Sequence, residues 1–329
     1  MVQTQHKLDG ISILRTFAMI SIMLYHIGYG HYYLTQLNPS AGVFLFFCIS
    51  AFLVMYTTET KTPSSFLKRR LIRIVPLYLI LTIFTFIASK FIRGFGQDNI
   101  SIAALMKSIL FIPYFRSGLK SDLTVRPIVG PAWTLYFDVW FAFIFSISMK
   151  VNHKHRGIIA AFLCIALCIL GEFLPRDLPL TILLRTRFLL SFASGILVFY
   201  VWNAFFLNKT PAFPVFWGIA AILLLIYFYL VARNIFVQVM VSSLILFCVL
   251  ISTYQKPVPK IFTLFSQLSF SFYLLHYYVI LIVGKFIDFT EFNVYTVLGT
   301  FLVLFVTLFI SFFSNLIIEK KLSNALNRL

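Results

Sequence analysis

Acidic side chains are scarce in this sequence: 10 Asp and Glu stand against 27 Lys and Arg, for a formal charge of +17. Charged residues of both signs make up only 11% of the 329 residues, whereas 60% are hydrophobic and 18% aromatic. A soluble globular domain carries about 25% charged residues, so the sequence lacks the means to cover itself with a water-facing surface. Cysteine is sparse as well. Cys48, Cys164, Cys168 and Cys248 all lie within apolar runs, without the C-x-x-C or Cys/His spacing of a zinc site and without the density of a disulfide scaffold. No G-x-S-x-G elbow, G-x-x-x-x-G-K-[ST] loop or H-E-x-x-H helix is present, which removes support for a hydrolase elbow, an ATP-driven pump and a zinc protease. The same composition argues against a Rossmann enzyme and against nucleic-acid binding.

What the sequence does have is a series of apolar runs of membrane-crossing length, each bounded by polar, Pro or Gly residues. They lie near 11–30, 41–57, 74–92, 131–149, 157–173, 186–204, 213–232, 235–253, 267–287 and 294–318. The expected fold is an all-α polytopic membrane protein of about ten transmembrane helices. The stretch 102–115, in the longest loop, leaves open an eleventh crossing or an interfacial helix. No repeat, linker or soluble domain interrupts the array, so 1–329 reads as a single integral-membrane domain and one bundle. The N-terminus is polar and the apolar run after it lacks a small-residue cleavage site, so the first span is expected to remain in place.

Sorting the loops alternately places 15 Lys and Arg on one side and 10 on the other. The richer set includes Lys7, the cluster Lys61, Lys68, Arg69, Arg70 and Arg73, and Lys209. By the positive-inside rule this set, and with it both termini, is cytoplasmic. The opposite side keeps Arg93, Lys107, Arg116, Lys120, Arg126, Arg176, Arg185, Arg187, Arg233 and Lys285, an excess suited to an anionic acceptor.

Four groups of residues sit where a lipid-facing helix would not tolerate them. Arg15 and His26 are eleven residues apart in the first span, which leaves them within about 20° of one helix face and roughly 16 Å apart along the axis. Charged residues in a span generally face a bundle interior or a watery cavity. The plain alternative is a snorkelling Arg15 and an interfacial His26. Arg70 and Arg73, in SSFLKRRLIRIVP before the third span, share a face. With Lys68 and Arg69 they read either as a topogenic anchor or as a clamp for phosphates. Asp138 falls inside the aromatic run GPAWTLYFDVWFAF; a structural ion pair with Arg15 or another Arg, within an aromatic belt of Trp133, Tyr136 and Trp140, competes with a role in a site. His276 reads as a structural or interface histidine, and His153 and His155 as solvated loop charges.

Taken in order, these segments resemble the membrane acyltransferase-3 family. The likeness rests on Leu8-Asp9-Gly10 with Arg15, ten residues, then His26; on Gly42 to Phe47 with Ser50-Ala51-Phe52-Leu53; on Phe66 to Pro76; on Trp133-Thr134-Leu135; and on Ser271-Phe272-Tyr273-Leu274-Leu275-His276. Two positions depart from the family pattern: Ala51 replaces a Gly, and Asp138 stands where many relatives have Glu. The resemblance is to bacterial O-antigen, lipopolysaccharide and exopolysaccharide O-acetyltransferases of the cytoplasmic (inner) membrane.

This resemblance implies an acyl-CoA donor, most commonly acetyl-CoA, taken from the cytoplasm, and an acceptor hydroxyl on a surface glycan or its lipid-linked precursor. No metal is implied, and no nucleic-acid partner. In that setting Lys68, Arg69, Arg70 and Arg73 are expected to hold the CoA phosphates, and His26 to remove the acceptor proton. Arg15 is expected to orient the donor or stabilise the oxyanion, and Asp138 to orient His26 or bind the sugar. Trp133, Tyr136 and His276 are candidate substrate contacts. A covalent acetyl-His26 intermediate is the alternative to direct transfer. The rival class is a transporter of an acylated or lipid-linked sugar, for which ten helices and an intramembrane Arg/His stripe are equally expected. The second half of the chain shows no counterpart of the Arg15–His26 pattern, as two related halves would require.

Overall fold

The computed structural model describes residues 8–28, 38, 40–92, 100–115, 125–206, 211–290 and 293–328. Residues 29–30 of the first run, and Lys7, Arg93, Arg116, Lys120 and Lys209 of the charge count, lie outside these residues, as does the Arg328 side chain. The helices are α1 Gly10–Ile27, α2 Ala41–Thr57, α3 Pro63–Phe91, α4 Ile102–Ile109, α5 Trp133–Val151, α6 Arg156–Phe173 and α7 Pro179–Arg185. They continue with α8 Leu189–Phe206, α9 Pro214–Leu230, α10 Ile235–Ser252, α11 Lys260–Val283 and α12 Val294–Ser314, followed by a π-helical stretch Asn315–Leu322 and a short α13 Ser323–Arg328. Among the described residues there is no strand, only an isolated bridge between Phe115 and Val125.

Each of the ten apolar runs holds a helix. Eight helical segments are long and apolar enough to cross a membrane, while α2 and α9, at 17 residues each, are shorter. The stretch 102–115 contains only the eight-residue α4, which rises about 12 Å and does not reach across a hydrocarbon core of roughly 30 Å. It is fastened to the bundle instead: Tyr78 donates to the Ser108 carbonyl at 2.8 Å, and the Ile128 amide donates to Ser108 Oγ at 3.2 Å.

The largest departure from expectation is α3, which begins at Pro63 and not near residue 74. The Thr62 side chain accepts from the Ser65 amide and Pro63 occupies the first turn, a strong start signal placed before the cations. Arg69, Arg70 and Arg73 therefore ride on the helix itself, and Pro76 lies inside it.

Without a hydrophobic drive between helices in lipid, close packing at small residues holds such a bundle together. A Cβ added at Gly195 of α8 would lie 2.1 Å from the Cys48 carbonyl oxygen of α2, and one at Gly42 would lie 2.9 Å from the Ala18 carbonyl oxygen of α1. Around the α2–α8 contact the phenylalanines interleave, with Phe192 stacked on Phe47 at 4.6 Å and on Phe141 at 4.2 Å. α1 packs on α2 and α11, and α3 on α5, so these five helices surround the polar residues. The outer helices carry the reverse pattern: Phe216, Ile219 and Leu223 of α9 and Phe301, Phe305 and Phe309 of α12 are exposed, an apolar exterior suited to acyl chains.

The α2–α8 contact yields a stability prediction. Gly195→Ala is expected to cost about 1–3 kcal/mol or more, because backbone must move to admit the methyl group. Gly218→Ala, whose Cβ would meet only Ser252 Cβ at 3.7 Å, is expected to leave stability unchanged. Thermal unfolding of the detergent-solubilised proteins, followed by monodispersity, compares the two.

Candidate active site

Two polar tethers join α1 to α11. Arg15 Nη2 donates to Ser269 Oγ at 2.6 Å, and His26 Nδ1 lies 2.9 Å from His276 Nε2. Thr16 adds a bond from its hydroxyl to the Phe262 carbonyl at 3.4 Å. From Thr16–Phe262 to His26–His276 the positions rise together on both helices, so α1 and α11 run in the same direction, with the long Arg15 side chain reaching ahead to Ser269. The shared face expected of Arg15 and His26 is the face that α11 covers.

At the Arg15 end a cavity of about 430 Å³ opens between α1, α2, α3, α5 and α11. Its wall carries five cations, Arg15, Lys61, Arg69, Arg70 and Arg73, against the single carboxylate of Asp138. Apolar side chains complete it, including Ile22, Val43, Phe46, Phe47 and Leu53. Arg70 Nη2 pairs with Asp138 Oδ1 at 2.8 Å and also makes a short hydrogen bond to Ser50 Oγ. Arg69 and Arg73 are exposed to the cavity and hold no hydrogen bond among the described residues.

A second carboxylate approaches from the far end of the chain. Glu319, in the π-helical stretch, accepts from Ser271 Oγ at 2.5 Å, and its charge acts on Arg15 and Arg73. The entry of α5 is pinned by Tyr273 of α11, whose hydroxyl donates to the Pro131 carbonyl at 2.5 Å and accepts from Thr134 Oγ1 at 2.9 Å. That pin sets the register in which Asp138, one turn further along, meets Arg70.

A family model for an acyltransferase domain, the acyltransferase-3 type, matches residues 8–316. The chain belongs to this acyltransferase family. Among curated proteins, "Exopolysaccharide production protein ExoZ" of Rhizobium meliloti (strain 1021) is 26% identical over 184 residues, 55% of this chain and 56% of that protein. The chain thus matches little more than half the length of this curated relative. No solved structure matches it.

Within this acyltransferase-3 chain the expected site residues separate into groups. Arg15, Arg69, Arg70, Arg73 and Asp138 come together in the cavity wall. Lys68, on the same helix as the three arginines, is exposed and is not part of the wall. Asp138 meets Arg70, and the ring partner of His26 is His276. The pairing follows from placement: Asp138 faces the Arg70 turn of α3, whereas His26 lies near the opposite end of α1. The two imidazoles lie one turn beyond Ile22 and Tyr273, the last cavity residues on their helices, with the Tyr273 and His276 rings 6.0 Å apart. Trp133 and Tyr136 also lie outside the wall. Their bulk fills helix contacts instead: Trp133 packs on Phe188 at 5.1 Å, and Tyr136 is fully buried beside Trp140.

Sequence reasoning missed Lys61, Ser50, Ser269, Tyr273 and Glu319 as members of this constellation. Two of them left a signal. Ser269 precedes His276 by seven residues on one helix face, and Glu319 is the lone acid after residue 291.

The Arg70–Asp138 pair gives a testable consequence. Its side chains are 17% and 23% exposed, so loss of the carboxylate leaves a partly buried guanidinium beside other cations. Asp138→Asn is expected to destabilise the protein by about 1–3 kcal/mol, below the cost of orphaning a fully buried charge because cavity water screens it. Thermal midpoints in detergent, with and without added CoA, measure this; a midpoint equal to wild type would remove the pair from the account.

Proposed function

We propose that this protein is a membrane O-acyltransferase that moves acetyl from acetyl-CoA to a hydroxyl of a surface glycan or its lipid-linked precursor, with His26 as general base. The observation that carries the reading is the cavity: clustered guanidinium groups with one carboxylate at one side, apolar wall at the other. CoA has the matching polarity, a polyanionic nucleotide end and a neutral pantetheine arm. The open forks of Arg69 and Arg73 suit phosphate oxygens, and about 430 Å³ falls in the usual range of small-molecule sites, roughly 300–1,000 Å³. Similarity to ExoZ, named for exopolysaccharide production, favours a polysaccharide acceptor.

In this reading the donor phosphates sit on Arg69, Arg70 and Arg73, and the arm passes Ile22 and Tyr273 towards the imidazole pair. The acceptor hydroxyl gives its proton to His26 as its oxygen bonds to the thioester carbonyl carbon. The C–S bond then breaks, and the departing thiolate takes the proton back from the imidazolium. Arg15 lies roughly 16 Å from His26 along α1, so it serves the donor and not the oxyanion at that base. Asp138 acts by holding Arg70. Transfer is direct; ping-pong kinetics or a trapped acetyl-His26 would replace it with a covalent route.

The reading includes a topology. The chain is one membrane domain over 1–329 in a bacterial cytoplasmic (inner) membrane, with the basic end of α3 and both termini in the cytoplasm. All four native cysteines are buried, so introduced ones report cleanly. In intact cells Thr290→Cys is expected to react with a membrane-impermeant maleimide and Ser64→Cys to stay unmodified until the cells are opened. The reverse pattern would invert the protein.

The activity itself is tested with membranes, radiolabelled acetyl-CoA and the host's lipid-linked glycans. Wild-type protein is expected to label the glycan, and a folded His26→Ala protein to lose at least about 10²-fold in rate, as removal of a general base does. Equal labelling by both would take His26 out of the chemistry.

A further inference from the structure

His276 is 1% exposed and lies at the heart of the α1–α11 seam. Its two ring nitrogens have different partners. Nδ1 is 3.2 Å from the Phe272 carbonyl oxygen of its own helix, and Nε2 is 2.9 Å from His26 Nδ1. A carbonyl oxygen only accepts hydrogen bonds. The hydrogen of neutral His276 therefore belongs on Nδ1, and Nε2 presents a lone pair. That lone pair is satisfied only if His26 Nδ1 carries a hydrogen, and neutral His26 is then unprotonated at Nε2.

We propose that His276 is a positioning residue that locks His26 into its Nδ1–H tautomer, so that His26 Nε2 is the nitrogen that receives the acceptor proton. This rests on the reading of His26 as base and adds the residue that sets its tautomer. The carboxylate that orients the histidine of a hydrolytic triad is replaced here by a neutral imidazole. Burial supplies the reason, since a carboxylate at this depth would bring a large desolvation cost, whereas His276 is satisfied by one backbone oxygen and one ring N–H. Stacked and edge-on rings hold both imidazoles in place: Phe272 lies nearly parallel to His276 at 6.2 Å, and Tyr25 stands edge-on to His26 at 5.6 Å. Once His26 Nε2 has taken a proton, the His276 lone pair still accepts from Nδ1–H, so the imidazolium keeps its partner until the thiolate leaves.

The test uses the full chain in lipid nanodiscs with ¹⁵N-labelled histidine. The His26 resonances are assigned by their absence in His26→Ala. In the wild type, His26 is expected to show a protonated Nδ1 and a pyridine-like Nε2. His276→Phe, which keeps the ring and removes the acceptor, is expected to give a mixture of tautomers, a kcat that falls in proportion to the Nδ1–H fraction read from the same spectrum, and an unchanged KM for acetyl-CoA. His276→Gln offers its amide oxygen to the same N–H and is expected to recover most of the loss. A wild-type His26 protonated at Nε2, or a His276→Phe protein with native spectrum and native kcat, would overturn the proposal. If His276→Phe does not fold, the wild-type spectrum and the His276→Gln protein decide. Inactive His26→Ala with fully active His276→Phe would refute the tautomer role alone, whereas fully active His26→Ala would refute the base itself.

Discussion

Guanidinium groups inside a membrane-spanning bundle need water, a counter-charge or a ligand, and the rest of this structure is arranged around that requirement. Arg15, Arg70 and Arg73 are close enough for their charges to act on one another. Asp138 and Glu319 reach the group from α5 and from the end of the chain. Two carboxylates do not balance the cations of the cavity wall, and the remaining positive potential is what a polyanionic donor would use. The scarcity of acids visible in the composition is thus concentrated, at one place in the fold, into a demand for an anion.

That demand explains why polar side chains are gathered on the inner faces of five helices while the outer helices show phenylalanine to their surroundings. Glycine contacts bring α1, α2 and α8 within backbone reach of each other, and interleaved phenylalanines fill the space between α2, α5 and α8. The interior left over is polar on one flank and apolar on the other. A bundle that served only to anchor the chain would have no use for such a division.

Much of this was legible in the residues. The apolar runs located the helices because lipid leaves little ambiguity about which segments are buried in it, and the eleven-residue interval of Arg15 and His26 fixed a common face because helical periodicity is strict. The start of α3 was misread because hydropathy weights the cations of SSFLKRR as loop, whereas Thr62 and Pro63 signal a helix before them. The partners were only partly legible. An ion pair of Asp138 with an arginine was among the expectations, but that the arginine is Arg70, or that His276 meets His26, depends on the order in which helices pack, which no local pattern encodes. Trp133 and Tyr136 show the same limit: aromatic rings read alike whether they line a site or fill a helix contact. Glu319 was hidden by distance along the chain, although its isolation among apolar residues marked it.

The two tethers between α1 and α11 have a mechanical consequence. Arg15 and His26 hang from one rod, and Ser269 and His276 from the other, so neither pair can be adjusted by itself. A rotation of α1 about its own axis that freed Arg15 from Ser269 would swing His26 away from His276 by the same angle. The cavity end and the imidazole end of the seam share a single rotational degree of freedom, and the seam works as a camshaft on which both are keyed.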